Sequence, residues 1–171
     1  MEDAKNTHKN SRTIKFLTLQ NITSNDITQI RKLWIDSFDK KSSDDIELLD
    51  TTIVGIIYEN NKIVAISFLL CPTDKQLNSN KLKYYSNIKE QGVTSNDCYI
   101  YNFCVSKNKQ KQGYGKMLLQ NCHDYLKKLK KQKIILFVEK GNIPAIFLYN
   151  KFEYKVHMAT PSGFIMEKNL Q

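Results

Sequence analysis

The segment Gln110-Lys111-Gln112-Gly113-Tyr114-Gly115 constrains this chain more than any other, because it stands between an apolar run at residues 99–105 and an amphipathic stretch at 115–129. That succession reads as strand, glycine loop, helix. Two glycines one residue apart let the backbone turn tightly where the helix starts. Unpaired N–H groups and the positive end of the helix dipole there favour phosphate oxygens. A diphosphate suits such a loop. Two common nucleotide loops are excluded by residue type: a Walker loop requires Gly-Lys-Ser/Thr, and a dinucleotide fingerprint requires a third glycine where Leu118 stands. Taken alone, Gly-x-Gly at a helix start is equally consistent with simple loop geometry.

The surrounding elements follow from period. Residues 13–19 alternate enough for a first strand (β1), after which Ile27, Ile30, Trp34 and Phe38 fall at helical spacing behind the cap candidates Ser24, Asn25 and Asp26. Residues 44–50 read as a short second helix. Residues 52–58 (β2) and 62–70 (β3) are rich in β-branched side chains and flank Asn60-Asn61, a pair that tolerates left-handed backbone, so an antiparallel hairpin is expected. Residues 74–96, rich in Asn, Lys and Ser, read as an insertion loop with a helical turn near 84–90; a lid over a substrate is its functional alternative. Next come 98–105 (β4), the glycine loop, and a helix with Leu118, Cys122, Tyr125, Leu126 and Leu129 on its apolar face. The chain then continues through 133–138 (β5), a helix at 144–151, 152–158 (β6) and 163–168 (β7). Residues 1–12 read as a disordered polar tail, leaving one domain at 13–171.

With 171 residues and 41% hydrophobic content, one compact domain is the expectation. No apolar run approaches the roughly 20 residues of a membrane span, and the first ten residues are polar, so a cytoplasmic protein without membrane contact is expected. Cys71, Cys98, Cys104 and Cys122 are widely spaced and form no Cys-x-x-Cys pair, which points to reduced, buried thiols and no metal. The net charge of +9 comes largely from lysine. Nucleic-acid or ribosome association would suit it, but the lysines lack interleaved exposed aromatics, and a coding bias toward lysine and asparagine accounts for them better. Lys109, Lys111 and Lys116 flank the loop and would steer a polyanion toward it.

A second constellation runs Asn142-Ile143-Pro144-Ala145-Ile146-Phe147-Leu148-Tyr149-Asn150-Lys151-Phe152-Glu153-Tyr154. In this order the two segments resemble the GCN5-related N-acetyltransferase (GNAT) family. Gln110, Gly113 and Gly115 match its first signature; Asn142, Ala145 and Tyr149 match its second. The departure is Glu153-Tyr154 where the family usually has Gly-Phe, a glycine that eases the turn from helix to strand. The resemblance spans roughly residues 11–170 and is strongest from Tyr99 onward. It implies an α/β fold with a mixed, mostly antiparallel sheet splayed between β4 and β5 and flanked by helices. It also implies transfer of acetyl from acetyl-CoA to a primary amine by direct attack in a ternary complex. By the same resemblance, the backbone of Phe103, Cys104 and Val105 pairs with pantetheine. The amides of Gln110, Lys111, Gln112, Gly113, Tyr114, Gly115 and Lys116 hold the pyrophosphate, and the Asn142 side chain contacts the pantetheine arm. Asn142 is equally placed to cap a helix ahead of Pro144.

Tyr149 is the candidate general acid, since a phenol of pKa roughly 10 stays protonated at neutral pH and can donate to a departing thiolate. The alternative for it is aromatic packing. Many relatives carry a glutamate on β4 fourteen residues before the first glycine, and here that position is Tyr99. No carboxylate occurs between Cys98 and Val105, so Tyr99 is the candidate to orient the amine or relay its proton, with core packing as its alternative. His123 and His157 read as ordinary surface or strand residues, and Asp97 is an outside candidate for a base. Cys104 lacks a histidine placed to activate it as a nucleophile. The pattern leans toward N-terminal protein acetyltransferases. Amino sugar phosphate or polyamine acetyltransferases, and a non-catalytic CoA-binding or RNA-associated module, are the alternatives.

Overall fold

In the computed structural model, which describes residues 11–38, 48–79 and 83–171, the β-branched runs fold as seven strands. They are β1 (Arg12–Thr18), β2 (Thr52–Glu59), β3 (Lys62–Leu70), β4 (Asp97–Val105), β5 (Lys133–Glu139), β6 (Lys155–Ala159) and β7 (Gly163–Asn169). The helices are α1 (Ser24–Phe38), α2 (Asp74–Leu77), α3 (Lys83–Glu90), α4 (Tyr114–Lys128) and α5 (Ile143–Lys151). One sheet runs in the order β1-β2-β3-β4-β5-β7-β6. Every neighbouring pair is antiparallel except β4 and β5.

Asn60 and Asn61 both take positive φ, 50° and 63°, as the turn between β2 and β3 requires. α1 is capped by Thr23 rather than by the three residues after it. The hydroxyl of Thr23 accepts from the Asp26 N–H at 3.1 Å, and the Asp26 carboxylate accepts from the Thr23 N–H and hydroxyl. Trp34 is buried in this helix as expected.

Several expectations change on folding. The 74–96 segment carries two helices, α2 and α3, where an apolar face of Leu77, Tyr85, Ile88 and Val93 seats it on the sheet. β6 begins at Lys155, not 152, because Phe152 ends α5 and Glu153 turns the chain with φ 63°. Glu153 therefore adopts the left-handed backbone for which a glycine is the usual choice. On α4, Leu118, Leu119, Cys122 and Leu126 are fully buried, whereas Leu129 lies beyond the helix and is 44% exposed. Arg12 already belongs to β1, one residue before the expected boundary. Residues 1–10 of the expected tail and 44–47 of the expected second helix lie outside the described residues; residues 48–50 are not helical.

The sheet separates two cores. On one side Cys98 and Ile100 pack with Leu118, Cys122, Leu126, Tyr149 and Tyr154 under α4 and α5. On the other, Tyr99 packs with Tyr85, Ile88 and Val93 from the insertion, and Cys104 with Ile30 and Leu33 of α1. Burial of each large apolar side chain in these cores contributes about 1.5–3 kcal/mol. All four cysteines are free; Cys98, Cys104 and Cys122 are buried, and Cys71 is half-buried.

Candidate active site

β4 and β5 pair only through Asp97–Ile100 against Lys133–Leu136. Beyond Ile100 the strands part, so the β5-facing edge of residues 101–105 has no strand partner among the described residues. The cause lies in β4 itself. Asn102 takes φ 51°, and Asn102 and Phe103 together stand opposite the single residue Ser67 of β3. Such a bulge bends a strand and increases its twist, and asparagine tolerates the left-handed backbone.

At the end of this edge the chain makes a 3-10 turn (Lys107–Lys109) and enters the loop. Lys111 and Gly113 have φ 59° and 87°, and Gly113 caps α4 in left-handed conformation. The N–H groups of Lys111, Gln112 and Gly113 donate to no backbone carbonyl among the described residues. Those of Tyr114, Gly115 and Lys116 open the helix, where no intrahelical acceptor exists. The space beside Gly113 is open: no atom lies within 4 Å of where its Cβ would stand. Gly115 has another role, bringing α4 against Leu148 of α5, whose Cδ2 lies 3.5 Å from its Cβ direction.

Side chains of the loop turn away from that space. Gln110 Nε2 donates to Val105 O at 3.2 Å, and Gln112 Nε2 donates to Asn108 O at 2.9 Å. Tyr114 is 1% exposed, with its hydroxyl donated to Glu59. Lys109 also pairs with Glu59. Its charge is therefore neutralised, in contrast to the steering role expected for it. Lys111 and Lys116 have no carboxylate partner among the described residues.

Across the gap, Asn142 caps α5: its Oδ1 accepts from Ala145 N at 3.2 Å, with Pro144 in the first turn. α5 places Tyr149 against Phe103 of β4, with ring centroids 6.3 Å apart, and against Tyr154 at 5.5 Å. Tyr149 is 5% exposed, and among the described residues its hydroxyl makes no hydrogen bond. Burial pushes its pKa above the ordinary value, so the phenol keeps its proton.

The opposite face of β4 is aromatic. Tyr84 of α3 stands edge-on to Tyr99 at 6.4 Å and tilted against Tyr101 at 5.7 Å. The Tyr101 hydroxyl is 2.7 Å from Thr52 Oγ1. Tyr99 is buried, its pKa raised to about 12 by that burial, against the opposing hydrogen bond from Gln91. Tyr99 faces Ile135 inside the paired stretch, whereas Tyr101 stands past its end. The grouping of Thr52, Tyr84 and Tyr101 on this face is not legible in the sequence, since only contacts across the fold bring them together.

The remaining candidates are occupied elsewhere. Asp97 sits at the closed end of β4, where its carboxylate accepts from Thr94 N–H and hydroxyl at 2.9 and 2.7 Å. His123 is buried rather than a surface residue, its Nε2 2.9 Å from Tyr154 Oη. His157 lies on β6, 3.6 Å from Glu167. Cys104 faces α1, and burial raises its pKa to about 12, so its thiol is neutral.

A sheet interrupted in this way beside a glycine loop is the arrangement that the GNAT resemblance implies for an acyl-CoA-dependent transferase, and sequence comparison agrees. Residues 25–154 match the model of the acetyltransferase (GNAT) family, and the chain belongs to that family. The protein is thus an acyltransferase using acetyl-CoA. Among solved structures, it is similar to the ribosomal-protein-S18-alanine N-acetyltransferase from Escherichia coli. That match has TM-score 0.65 and 16% identity, covering 94% of this chain and 95% of that one. It is also similar to the PaiA N-acetyltransferase from Thermoplasma acidophilum in complex with coenzyme A. Here TM-score is 0.67 and identity 15%, covering 93% and 99%. An acyl-CoA N-acyltransferase from Pseudomonas aeruginosa aligns with TM-score 0.69 and 13% identity, covering 92% and 99%. No curated protein matches the sequence. Among the described residues no helix is long and apolar enough to cross a membrane.

Proposed function

We propose that the chain acetylates the α-amine of a peptide or protein, with acetyl-CoA lying in the gap between β4 and β5. The observation that carries this is the unpartnered edge of β4, continuous with a loop in which the N–H groups of Lys111, Gln112 and Gly113 have no backbone acceptor among the described residues. The main chain of Phe103, Cys104 and Val105 pairs with the pantetheine amides as an added strand would, and the amides of residues 110–116 surround the pyrophosphate. Asn142 uses its Oδ1 to cap α5, which leaves its Nδ2 to donate to a pantetheine carbonyl.

The amine nitrogen attacks the thioester carbonyl carbon, and the tetrahedral intermediate collapses with cleavage of the C–S bond. Tyr149 gives its phenolic proton to the sulfur, and the proton lost by the amine returns to Tyr149 through water. The products are the N-acetyl amide and the CoA thiol. No cysteine is acylated: Cys104 is turned to the α1 side and its thiol is neutral. The amine approaches over the aromatic face, where Tyr101, beyond the end of the β4–β5 pairing, contacts it and Tyr84 packs against both Tyr101 and Tyr99.

The acceptor class follows from basicity. No carboxylate lies on β4 between Cys98 and Val105. A lysine side chain of pKa roughly 10.4 is almost wholly ammonium at neutral pH, whereas an α-amine of roughly 7.7–8.0 has an appreciable neutral fraction. A site without a strong base suits the less basic amine. The likeness to an enzyme named for an alanine of a ribosomal protein supports the same class. Mass spectrometry of peptides carrying one free α-amine and one lysine tests it, with acetyl on the α-amine as the expected product. Predominant acetylation of the lysine, or activity confined to polyamines or amino sugars, would overturn it.

A further inference from the structure

Glu59 closes β2, at the far side of β3 from the CoA gap, and no sequence pattern connects it with the loop. Even so, it is 6% exposed and gathers three groups from two other segments. Lys109, immediately before the loop, pairs with one carboxylate oxygen. Tyr114, immediately after Gly113, donates its hydroxyl to the other. Arg12 of β1 lies 3.5 Å from that same oxygen and places its guanidinium over the Tyr114 ring, 4.7 Å from the centroid. The four residues between these tethers include both left-handed positions, Lys111 and Gly113. Left-handed backbone at a lysine is uphill, so unsupported residues 110–113 would relax to other conformations and scatter their N–H groups.

From this geometry we infer that Glu59 is a positioning residue for the donor site: by holding both ends of the loop, it fixes the array of N–H groups that receives the CoA pyrophosphate. The inference rests on the reading that CoA binds at this loop. Glu59 never touches the ligand, and its own charge opposes an anion's approach. Its contribution is thus purely organisational, and that makes the sign of its removal diagnostic. If Glu59 mattered only through charge, neutralising it would release Lys109 and tighten CoA binding. If it holds the loop, neutralising it weakens binding.

The test is calorimetric titration of CoA into wild type, Glu59→Gln, Tyr114→Phe and Gly113→Val, with Glu153→Gln as an exposed-carboxylate control. Thermal melts confirm that each is folded. Glu59→Gln should weaken CoA about tenfold, the scale of one charged hydrogen bond, and should do so equally at low and high salt. KM for acetyl-CoA should rise in proportion, with kcat and the acceptor KM unchanged. Tyr114→Phe keeps the ring in the core and removes one tether, so it should weaken CoA by a smaller factor. The double variant should lose less than the product of the two, because both act through one carboxylate. Unchanged or tighter CoA binding in Glu59→Gln, alongside weakened binding in Gly113→Val, overturns the inference and leaves the loop as the CoA site. Unchanged binding in both overturns the CoA reading of the loop and the inference with it.

Discussion

On one face of β4, Phe103 and Val105 lean toward α4 and α5, and what surrounds the gap is mostly main chain: a bulged strand edge, a turn with two positive φ values, the first N–H groups of α4 and the capped start of α5. On the other face, Tyr99 and Tyr101 lean toward the insertion, and what surrounds them is side chain: Tyr84 from α3, Thr52 from β2 and the amide of Gln91. The two faces teach different lessons about substrate recognition. Main-chain groups are supplied by any residue that keeps the backbone, so a donor site made of them needs only a few glycines and caps. A face made of aromatic side chains changes character with each substitution. Under the proposed assignment of the two faces, acceptor choice can therefore vary while the donor machinery stays put.

The sharpest way to break this contrast is Tyr149→Phe, because the proposed donor side depends on that side chain for its proton. Turnover should fall by roughly 10²–10⁴-fold, the scale of general acid catalysis, with CoA affinity unchanged. Steady-state turnover within about twofold of wild type, with chemistry rate-limiting, would make Tyr149 a packing residue. Next in size is Gly113→Val. The β-branched residue is strained at φ 87° by about 1–3 kcal/mol and fills the open space that the proposal gives to phosphate, so CoA affinity should drop by about one to two decades. Gly141→Val is the matched control, because Gly141 also has open space but no positive φ. Gly55 would not serve, since a Cβ there meets Phe16 at 3.0 Å and Cys122 at 3.4 Å. Retention of full CoA affinity by the Gly113 variant would remove the loop from the donor site.

Between these lies an effect of acid on the donor-side core. Burial, and secondarily Lys168, hold the His123 pKa at about 4 instead of 6.5, so the folded protein keeps it neutral. The unfolded chain takes up that proton near pH 6.5. Stability is therefore full above 6.5 and falls as pH descends toward 4, by up to about 1.4 kcal/mol per unit. Urea melts at pH 7 and pH 5 check the sign, and His123→Gln should flatten the difference; an equally steep loss in that variant would assign the acid sensitivity to other groups. The smallest effect is expected on the acceptor face. Tyr84→Ala should shift acceptor KM about tenfold and reorder a peptide panel, with CoA affinity as in wild type. Loss of CoA affinity in that variant would show that the two faces are not separable.

The same contrast governs what could be read from sequence. Gln110, Gly113 and Gly115, like Asn142, Ala145 and Tyr149, lie within a turn or two of each other, so local geometry ties their spacing to their placement. Glu59 and Tyr114 are 55 positions apart, and Thr52 and Tyr101 are 49 apart. No period or motif links such pairs; only the register of β2, β3 and β4 does. Glu153 departs from the family pattern at a glycine position, yet it keeps the glycine-like backbone with φ 63°, which side-chain identity alone does not forecast. In the 74–96 segment the helical turn near 84–90 is legible and is extended to α3, whereas α2, four residues long, is shorter than the window over which helical period becomes visible. The capping box of Thr73 and Gln76 was the available signal.

The short seam between β4 and β5 has a mechanical consequence. Only four residue pairs join the sheet of β1 to β4 to the sheet of β5, β7 and β6, as few as join β6 to β7 at the sheet's edge, so the ladder narrows in the middle of the molecule. A bound pantetheine would act there as a rivet, completing hydrogen bonds that the polypeptide leaves open. Its grip on the folded form alone would add about 2.7 kcal/mol of resistance to unfolding at a hundredfold excess over Kd. The empty enzyme would then breathe first along this line, with amide exchange fastest at the free edge of β4. Donor binding would stiffen the molecule as well as load it.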